Sequence, residues 1–351
     1  MPGPLGSLVA APRVVIVIPC YRVARHIAAL VERIPPRWSQ IVCIDDASPD
    51  DTADVVTALG DPRLTLLRHP ENRGVGGAMK TGYAHALALG AEIVVKLDGD
   101  GQMDPADLDA LIAPLVAGEA DYAKGNRFVD LLALQRMPPV RRLGNAALSF
   151  ASKVASGYWN MLDVSNGYTA ITRDALERLA TGALAERYFF ETSMLIELYL
   201  ARARVADVAL PARYGDEESS LRIGRVIATF PPLLLRGFAR RVYWRYLIED
   251  FGLVSLCALA GAPLLLFGVV FGVLEWVASV QSGVPASAGT VLLAALPVML
   301  GVQLLLTAAV LDVHSASVVK WGGAPRRAPA IAPAGPVPTP QPAPARSTDA
   351  R

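Results

Sequence analysis

The sequence predicts an α/β domain on a largely parallel sheet, followed by a two-helix membrane hairpin. Three observations carry that expectation. Short β-branched runs alternate with helical stretches in the first third of the chain, acidic residues stand at the ends of two of those runs, and two long uncharged apolar runs lie near the C-terminus.

The elements follow in order. Residues 14–18 are a β-branched run ended by Pro19, and 24–34 reads as a helix. Residues 41–44 form a second strand leading into Asp45 and Asp46, and Ser48 is placed to cap a helix that starts near Asp51. Residues 64–67 read as a third strand, 77–89 as a helix after a glycine-rich loop, and 93–97 as a fourth strand ending at Asp98. In open parallel sheets ligands bind beyond the carboxyl ends of the strands. Asp45, Asp46, Asp98 and Asp100 all fall at such ends.

Between Phe251 and Leu311 the only charged residue is Glu275. About 20 apolar residues cross a bilayer as a helix, so spans are expected over 251–275 and 290–312. Gln281-Ser282-Gly283 and Pro285 fit a short loop between them. Arg236, Arg240, Arg241 and Arg245 precede the first span, Lys320, Arg326 and Arg327 follow the second, and the loop has no Lys or Arg. That asymmetry places the N-terminal part and the tail in the cytoplasm and the hairpin in the cell membrane. Trp276 and Trp321 sit at the span ends, where indoles favour the interface. The four arginines suit either anionic head groups or a phosphate-bearing lipid substrate.

The 351 residues are 53% hydrophobic and 19% charged, with formal net charge +1 and mean hydropathy +0.37. That excludes disorder of the chain as a whole, and nothing global points to a nucleic-acid partner. The run at 14–18 is too short for a signal peptide, and Cys20, Cys43 and Cys257 lack metal-ligand spacing. The expected organisation is a disordered N-terminus (1–12), a catalytic domain (13–218), juxtamembrane interfacial helices (219–250), the hairpin (251–313) and a disordered Ala/Pro-rich tail (314–351).

Asp98-Gly99-Asp100-Gly101-Gln102 follows directly from an apolar strand. Two carboxylates two residues apart on a glycine-flanked turn suit one hard cation, Mg²⁺ or Mn²⁺. A calcium EF-hand loop fails on Met103 at its required glycine. The loop from Glu71 to Gly77 leads into a helix, which favours anion contact, yet it fits neither the dinucleotide fingerprint nor the P-loop. Close helix packing explains it equally well.

Taken together, these segments resemble the family-2 glycosyltransferases of GT-A fold, which are Rossmann-like, and more closely the dolichol-phosphate mannose synthase-like polyprenyl-phosphate glycosyltransferases. The resemblance rests on Val17-Ile18-Pro19-Cys20-Tyr21, Asp45-Asp46-Ala47-Ser48, Asn72-Arg73-Gly74 through Gly82, Leu97 to Pro105, Gly125-Asn126-Arg127 and Asp163 to Tyr168. It implies donor-nucleotide contacts from Pro19, Tyr21, Asp45, Asp46, Lys80 and Asp98. It implies a metal site at Asp98, Asp100 and Gln102, and catalytic roles for Asp100, Arg127 and Glu191. For the acceptor phosphate it points to Arg127, Arg142, Arg213 and Ser219.

The implied reaction is metal-dependent, inverting transfer of a hexose from a nucleotide diphosphate sugar to a polyprenyl phosphate, by a chain that also leaves room for a homo-oligomer. A phosphate acceptor is largely dianionic at neutral pH and needs no general base, so Glu191 would orient the acceptor or a cation. The alternatives are a membrane glycosyltransferase acting on a polysaccharide or glycolipid hydroxyl, and a non-catalytic scaffold that binds nucleotide sugars.

Overall fold

The computed structural model describes residues 12–127, 139–211, 223–315 and 318–321. The chain opens with β1 (Val14–Cys20), α1 (Ile27–Arg33), β2 (Ile41–Asp45), α2 (Thr52–Ala58), β3 (Leu64–Arg68), α3 (Gly74–Ala88) and β4 (Ile93–Lys96). These strands pair in parallel, with Ile18 beside Cys43 and Val15 beside Val94. β1, β2 and β4 are buried on both faces, which is why they read as continuous apolar runs without alternation.

The second half departs from a uniformly parallel sheet. After α4 (Leu108–Val116) come β5 (Tyr122–Asn126), α5 (Pro139–Ser156), β6 (Thr169–Thr172), α6 (Arg173–Arg178), α7 (Phe190–Leu200) and β7 (Val205–Ala209). The strand order is β3-β2-β1-β4-β6-β5-β7, and β6 runs antiparallel to both its neighbours. The carboxyl ends of β1, β2, β4 and β5 and the start of β6 therefore share one edge.

One apolar layer joins Ile27, Leu30 and Val31 of α1 and Leu111 of α4 to one face of the sheet. The other joins Met79 and Tyr83 of α3 and Met194, Leu195 and Leu198 of α7 to the opposite face. Ser48 does not cap α2. Asp51 occupies the N-cap position, and Ser48 Oγ instead accepts the Arg22 N–H at 3.2 Å, tying the loops after β1 and β2 together.

Beyond β7 lie α8 (Ile223–Val242), a π-helical turn (Tyr243–Glu249), α9 (Leu253–Ser282) and α10 (Ala288–Ser315). The last two pack as a hairpin, each longer than the spans expected from sequence. Gly268 and Gly301 permit the close approach, since a Cβ at Gly268 would stand 2.7 Å from the Ala294 carbonyl oxygen and one at Gly301 2.6 Å from the Leu265 nitrogen. Both helices are long and apolar enough to cross a membrane. Leu266, Trp276 and Met299 are 66%, 69% and 67% exposed, an arrangement suited to lipid and unlike a buried core pair.

The expected tail from residue 314 needs correcting. Residues Val318–Trp321 form β8, which pairs in parallel with β7, Val205 beside Val318. Trp321 thus belongs to the sheet edge and not to a span end. The chain leaves the domain through α8 and returns to it directly after α10.

Candidate active site

The shared edge gathers most of the residues singled out from sequence. Pro19 is the penultimate residue of β1, and Tyr21, just beyond, is half exposed. Asp45 closes β2; its carboxylate accepts the Ser48 N–H at 3.1 Å and lies 3.5 Å from Arg68. Asp46 is 2% exposed and its oxygens are used within the protein. Oδ1 accepts the Arg73 N–H (2.9 Å), Oδ2 accepts the Gly74 N–H (2.7 Å), and His69 Nδ1 lies 2.7 Å from Oδ1.

That geometry explains the glycine-rich loop. The first N–H groups of a helix lack partners within it and attract negative charge. At α3 the anion they receive is Asp46 itself, while the Gly76 and Gly77 N–H groups donate to the Glu186 carbonyl at 2.7 and 3.2 Å. Ala47, next to the acidic pair, sits at φ +53°, in the left-handed region that an alanine adopts at a cost. Such strain persists where surroundings over-determine it and concentrates at functional sites. Lys80 lies on α3, 4.0 Å from Glu186.

The acidic turn follows β4. Asp98 and Asp100 are both partly exposed, and Asp100 Oδ1 accepts the Gln102 N–H at 3.0 Å. Gly101, at φ +76°, makes the turn, and Gly99 packs against β1, where a Cβ would lie 3.3 Å from the Pro19 carbonyl. Two carboxylates and an amide on one turn are of the oxygen-donor type that Mg²⁺ or Mn²⁺ prefers. Among the described residues no group of three or more His, Cys, Asp or Glu side chains is gathered so as to hold a metal ion.

Sequence reasoning missed two residues beneath this turn. Lys96 of β4 and Lys124 of β5 stand on either side of Thr169 of β6, each in register with it. Residues in register share a sheet face, so both ammonium groups rise on the same side, 2% and 0% exposed. Lys96 Nζ donates to Asp98 Oδ1 at 2.6 Å and to the Gly167 carbonyl at 3.1 Å. Lys124 Nζ donates to the Asn166 carbonyl. Glu191, in the first turn of α7, closes the group: Oε1 lies 3.1 Å from Lys96 and Oε2 3.3 Å from Lys124. The available signal was a lysine inside each of two otherwise apolar or small-residue strands, Val95-Lys96-Leu97 and Ala123-Lys124-Gly125.

Burial and charge pairing act against each other in this group. Burial opposes an ionised Glu191, but the two ammonium groups outweigh it and hold the carboxyl below its ordinary range. Burial lowers Lys124 despite Glu191. Burial also opposes the charged form of Lys96, yet with two carboxylates beside it the ammonium is held above its ordinary value. Gly167 completes the fit, since a Cβ there would overlap both the Asp98 carboxylate and the Lys96 ammonium.

On the other side of β5, Arg127 is held by buried Asp163. Nε donates to Oδ2 at 2.8 Å and an Nη to Oδ1 at 3.3 Å, leaving the guanidinium 36% exposed. Asn166 Nδ2 donates to the Gly125 carbonyl (2.7 Å), and Asn166 Oδ1 accepts the Tyr168 N–H (3.1 Å), which pins the segment entering β6. Arg142 lies on α5. Arg213 and Ser219 lie outside the described residues.

A family model described as Glycosyl transferase family 2 matches residues 15–180. A UDP-N-acetylglucosamine–dolichyl-phosphate N-acetylglucosaminyltransferase of Methanococcus voltae is 28% identical over 216 residues, 57% of this chain and 86% of its own length. A polyprenol monophosphomannose synthase of Mycolicibacterium smegmatis is 30% identical over 194 residues, 52% of this chain and 70% of its own length. An uncharacterized glycosyltransferase of Mycobacterium bovis is 33% identical over 224 residues, 62% of this chain and 95% of its own length.

Proposed function

This chain belongs to glycosyl transferase family 2 and is a glycosyltransferase; from that premise we propose that it transfers a hexose from a nucleotide diphosphate sugar to a polyprenyl phosphate, with inversion at the anomeric carbon. The observation that carries the acceptor class is the engagement of Glu191 by Lys96 and Lys124. A hydroxyl acceptor must lose a proton and needs a base matched to neutral pH. A carboxylate neutralised by two buried ammonium groups is a poor one. A phosphate monoester arrives already ionised.

Asp98 and Asp100, with Gln102, would hold Mg²⁺ or Mn²⁺, whose chemistry there is to neutralise charge on the leaving diphosphate. Pro19, Tyr21 and Asp45 line the edge on the nucleotide side. Asp46 acts from behind, fixing the start of α3. Lys96 orients Asp98, and Glu191 holds both lysines in place. Arg127, aimed by Asp163, offers a half-exposed planar guanidinium to an anionic partner, and Arg142 is assigned to the acceptor phosphate. Catalysis on this reading is positioning and electrostatic preorganisation.

The two apolar helices support a lipid-borne acceptor. In this reading they span the cell membrane, with the catalytic domain and the tail on the cytoplasmic side. Leu235, Tyr243, Trp244 and Ile248, exposed just before α9, rest in the interface.

The test uses purified full-length protein, a panel of radiolabelled nucleotide sugars, Mg²⁺ or Mn²⁺, and long-chain polyprenyl phosphate in detergent. Lipid-linked sugar from one donor is the expected result. No lipid-linked sugar from any donor, with transfer to a hydroxyl glycolipid instead, would overturn the acceptor assignment.

A further inference from the structure

Of the four arginines before the apolar helices, the structure leaves Arg236 exposed and without an ion pair among the described residues. Arg240 pairs with Glu197, and Arg245 lies 3.7 Å from Glu249. Arg241 is fully buried, so the head-group role expected of it needs correcting. Its two Nη atoms donate to Asp312 of α10, at 2.6 Å to Oδ1 and 3.0 Å to Oδ2. Nε donates to the Ala155 carbonyl and Nη2 to the Val154 carbonyl, both at 3.1 Å, at the end of α5. The guanidinium carbon lies 4.9 Å from the centroid of the Tyr199 ring.

Asp312 collects further donors: Trp159 Nε1 at 3.3 Å, Tyr199 OH at 3.4 Å, and Tyr246 OH. Ser315, one turn further on, lies 2.7 Å from Tyr199 OH. A single carboxylate on the second apolar helix is therefore bound from four places in the rest of the chain: α7, α8, the π-helical turn and the segment after α5. Tyr199 stands near the end of α7, the helix that carries Glu191 in its first turn. At 1.5 Å per residue the two are about 12 Å apart on one short rod.

A membrane anchor as such needs none of this. Burying a charge pair takes it from water at a cost that apolar packing avoids, and directional bonds to a single carboxylate fix rotation and height where apolar contacts allow sliding. We propose that the Arg241–Asp312 pair is a positioning device that holds the catalytic domain at one height and orientation on the apolar hairpin, so that the site meets its acceptor phosphate at the bilayer surface. Neither residue touches substrate. The proposal rests on the lipid-phosphate reading above.

The test compares full-length wild type with Asp312→Asn in phosphatidylglycerol/phosphatidylethanolamine vesicles. One acceptor is a long-chain polyprenyl phosphate in the bilayer and the other a short, water-soluble prenyl phosphate. Asp312→Asn is expected to raise KM for the bilayer acceptor about tenfold while leaving turnover of the soluble acceptor within about twofold. Equal losses on both acceptors, or no change on either, overturn the proposal.

A second readout is independent of activity. With spin labels at Asp54→Cys on α2 and Gln281→Cys at the hairpin tip, wild type should give one narrow distance distribution and Asp312→Asn a broad one. Unchanged width overturns the positioning role even if the transfer reaction itself is confirmed. If wild type transfers sugar to neither acceptor, the lipid-phosphate reading fails, and the labels still decide whether the pair fixes the domain. Tyr246→Phe removes one donor and keeps the ring, so it should broaden the distribution less, and it serves if Asp312→Asn does not fold.

Discussion

Lys96 and Glu191 meet at 3.1 Å, linking the last residue of a central strand to the first turn of α7. Through that pair the acidic turn, at Asp98, is coupled to the helix that reaches the apolar hairpin. Removing the charge of Glu191 leaves two buried ammonium groups without their shared counterion, a change that typically costs about 3–5 kcal/mol. Glu191→Gln should therefore lower both the melting temperature and the rate of transfer. A stable, fully folded Glu191→Gln that loses only kcat would instead identify Glu191 as a base.

The same residue sets a pH dependence. Its folded pKa is depressed below the ordinary 4.5, so the native state binds fewer protons there than the unfolded state. Its contribution is present in full above about pH 4.5 and is lost as pH falls through the depressed value. The stability gap between wild type and Glu191→Gln, read by denaturant titration, should be constant above that pH and close below it.

Gly167 is a steric test of the same cluster. Gly167→Ala places a methyl group against the Asp98 carboxylate and the Lys96 ammonium. Overpacking of this kind costs about 1–3 kcal/mol. Activity should suffer more than stability, because the displaced carboxylate belongs to the acidic turn. Unaltered kcat would show that Asp98 does not need its present position.

Asp163 aims Arg127 with two hydrogen bonds. Asp163→Asn weakens the pair without adding bulk, and KM for the anionic acceptor is expected to rise about tenfold, near the value of one charge-assisted bond. Arg127→Lys keeps the charge but loses the fork and should behave similarly. Unchanged KM in both variants would remove Arg127 from the acceptor site.

For the acidic turn, Asp100→Asn should reduce transfer by about two orders of magnitude, given the several kcal/mol a bound cation contributes to such chemistry. The remaining activity should need more Mn²⁺ for half-saturation. Activity independent of added Mn²⁺ in both proteins would set the metal assignment aside.

The parts of the fold written locally were legible from sequence. The runs at β1, β2, β3 and β4, the acidic residues at their ends, and the two apolar helices announce themselves by composition over a few residues. The antiparallel placement of β6 was not, because it depends on where the chain returns after α5. Nor was β8, four residues whose role comes entirely from pairing with β7.

In the candidate site, the acidic turn of Asp98 and Asp100 is visible in the sequence from its spacing after an apolar strand. Asp46 was placed at the right edge, but its partners Arg73 and Gly74 lie far along the chain. Lys96 and Lys124 looked like ordinary strand residues until Glu191 arrived from another helix. Arg241 resembles the neighbouring arginines in sequence, and what sets it apart is above all Asp312, a contact between residues 71 positions apart.

The return of the chain to β7 makes the apolar hairpin an insertion within the domain, tethered at both ends. During synthesis the sheet lacks its last strand until both apolar helices have emerged and been accommodated. Completion of the domain therefore waits on the hairpin, and a molecule whose hairpin fails to form carries β7 as an open edge, the kind of surface that recruits other strands. The order in which the sheet closes thus makes the hairpin a precondition of the finished domain.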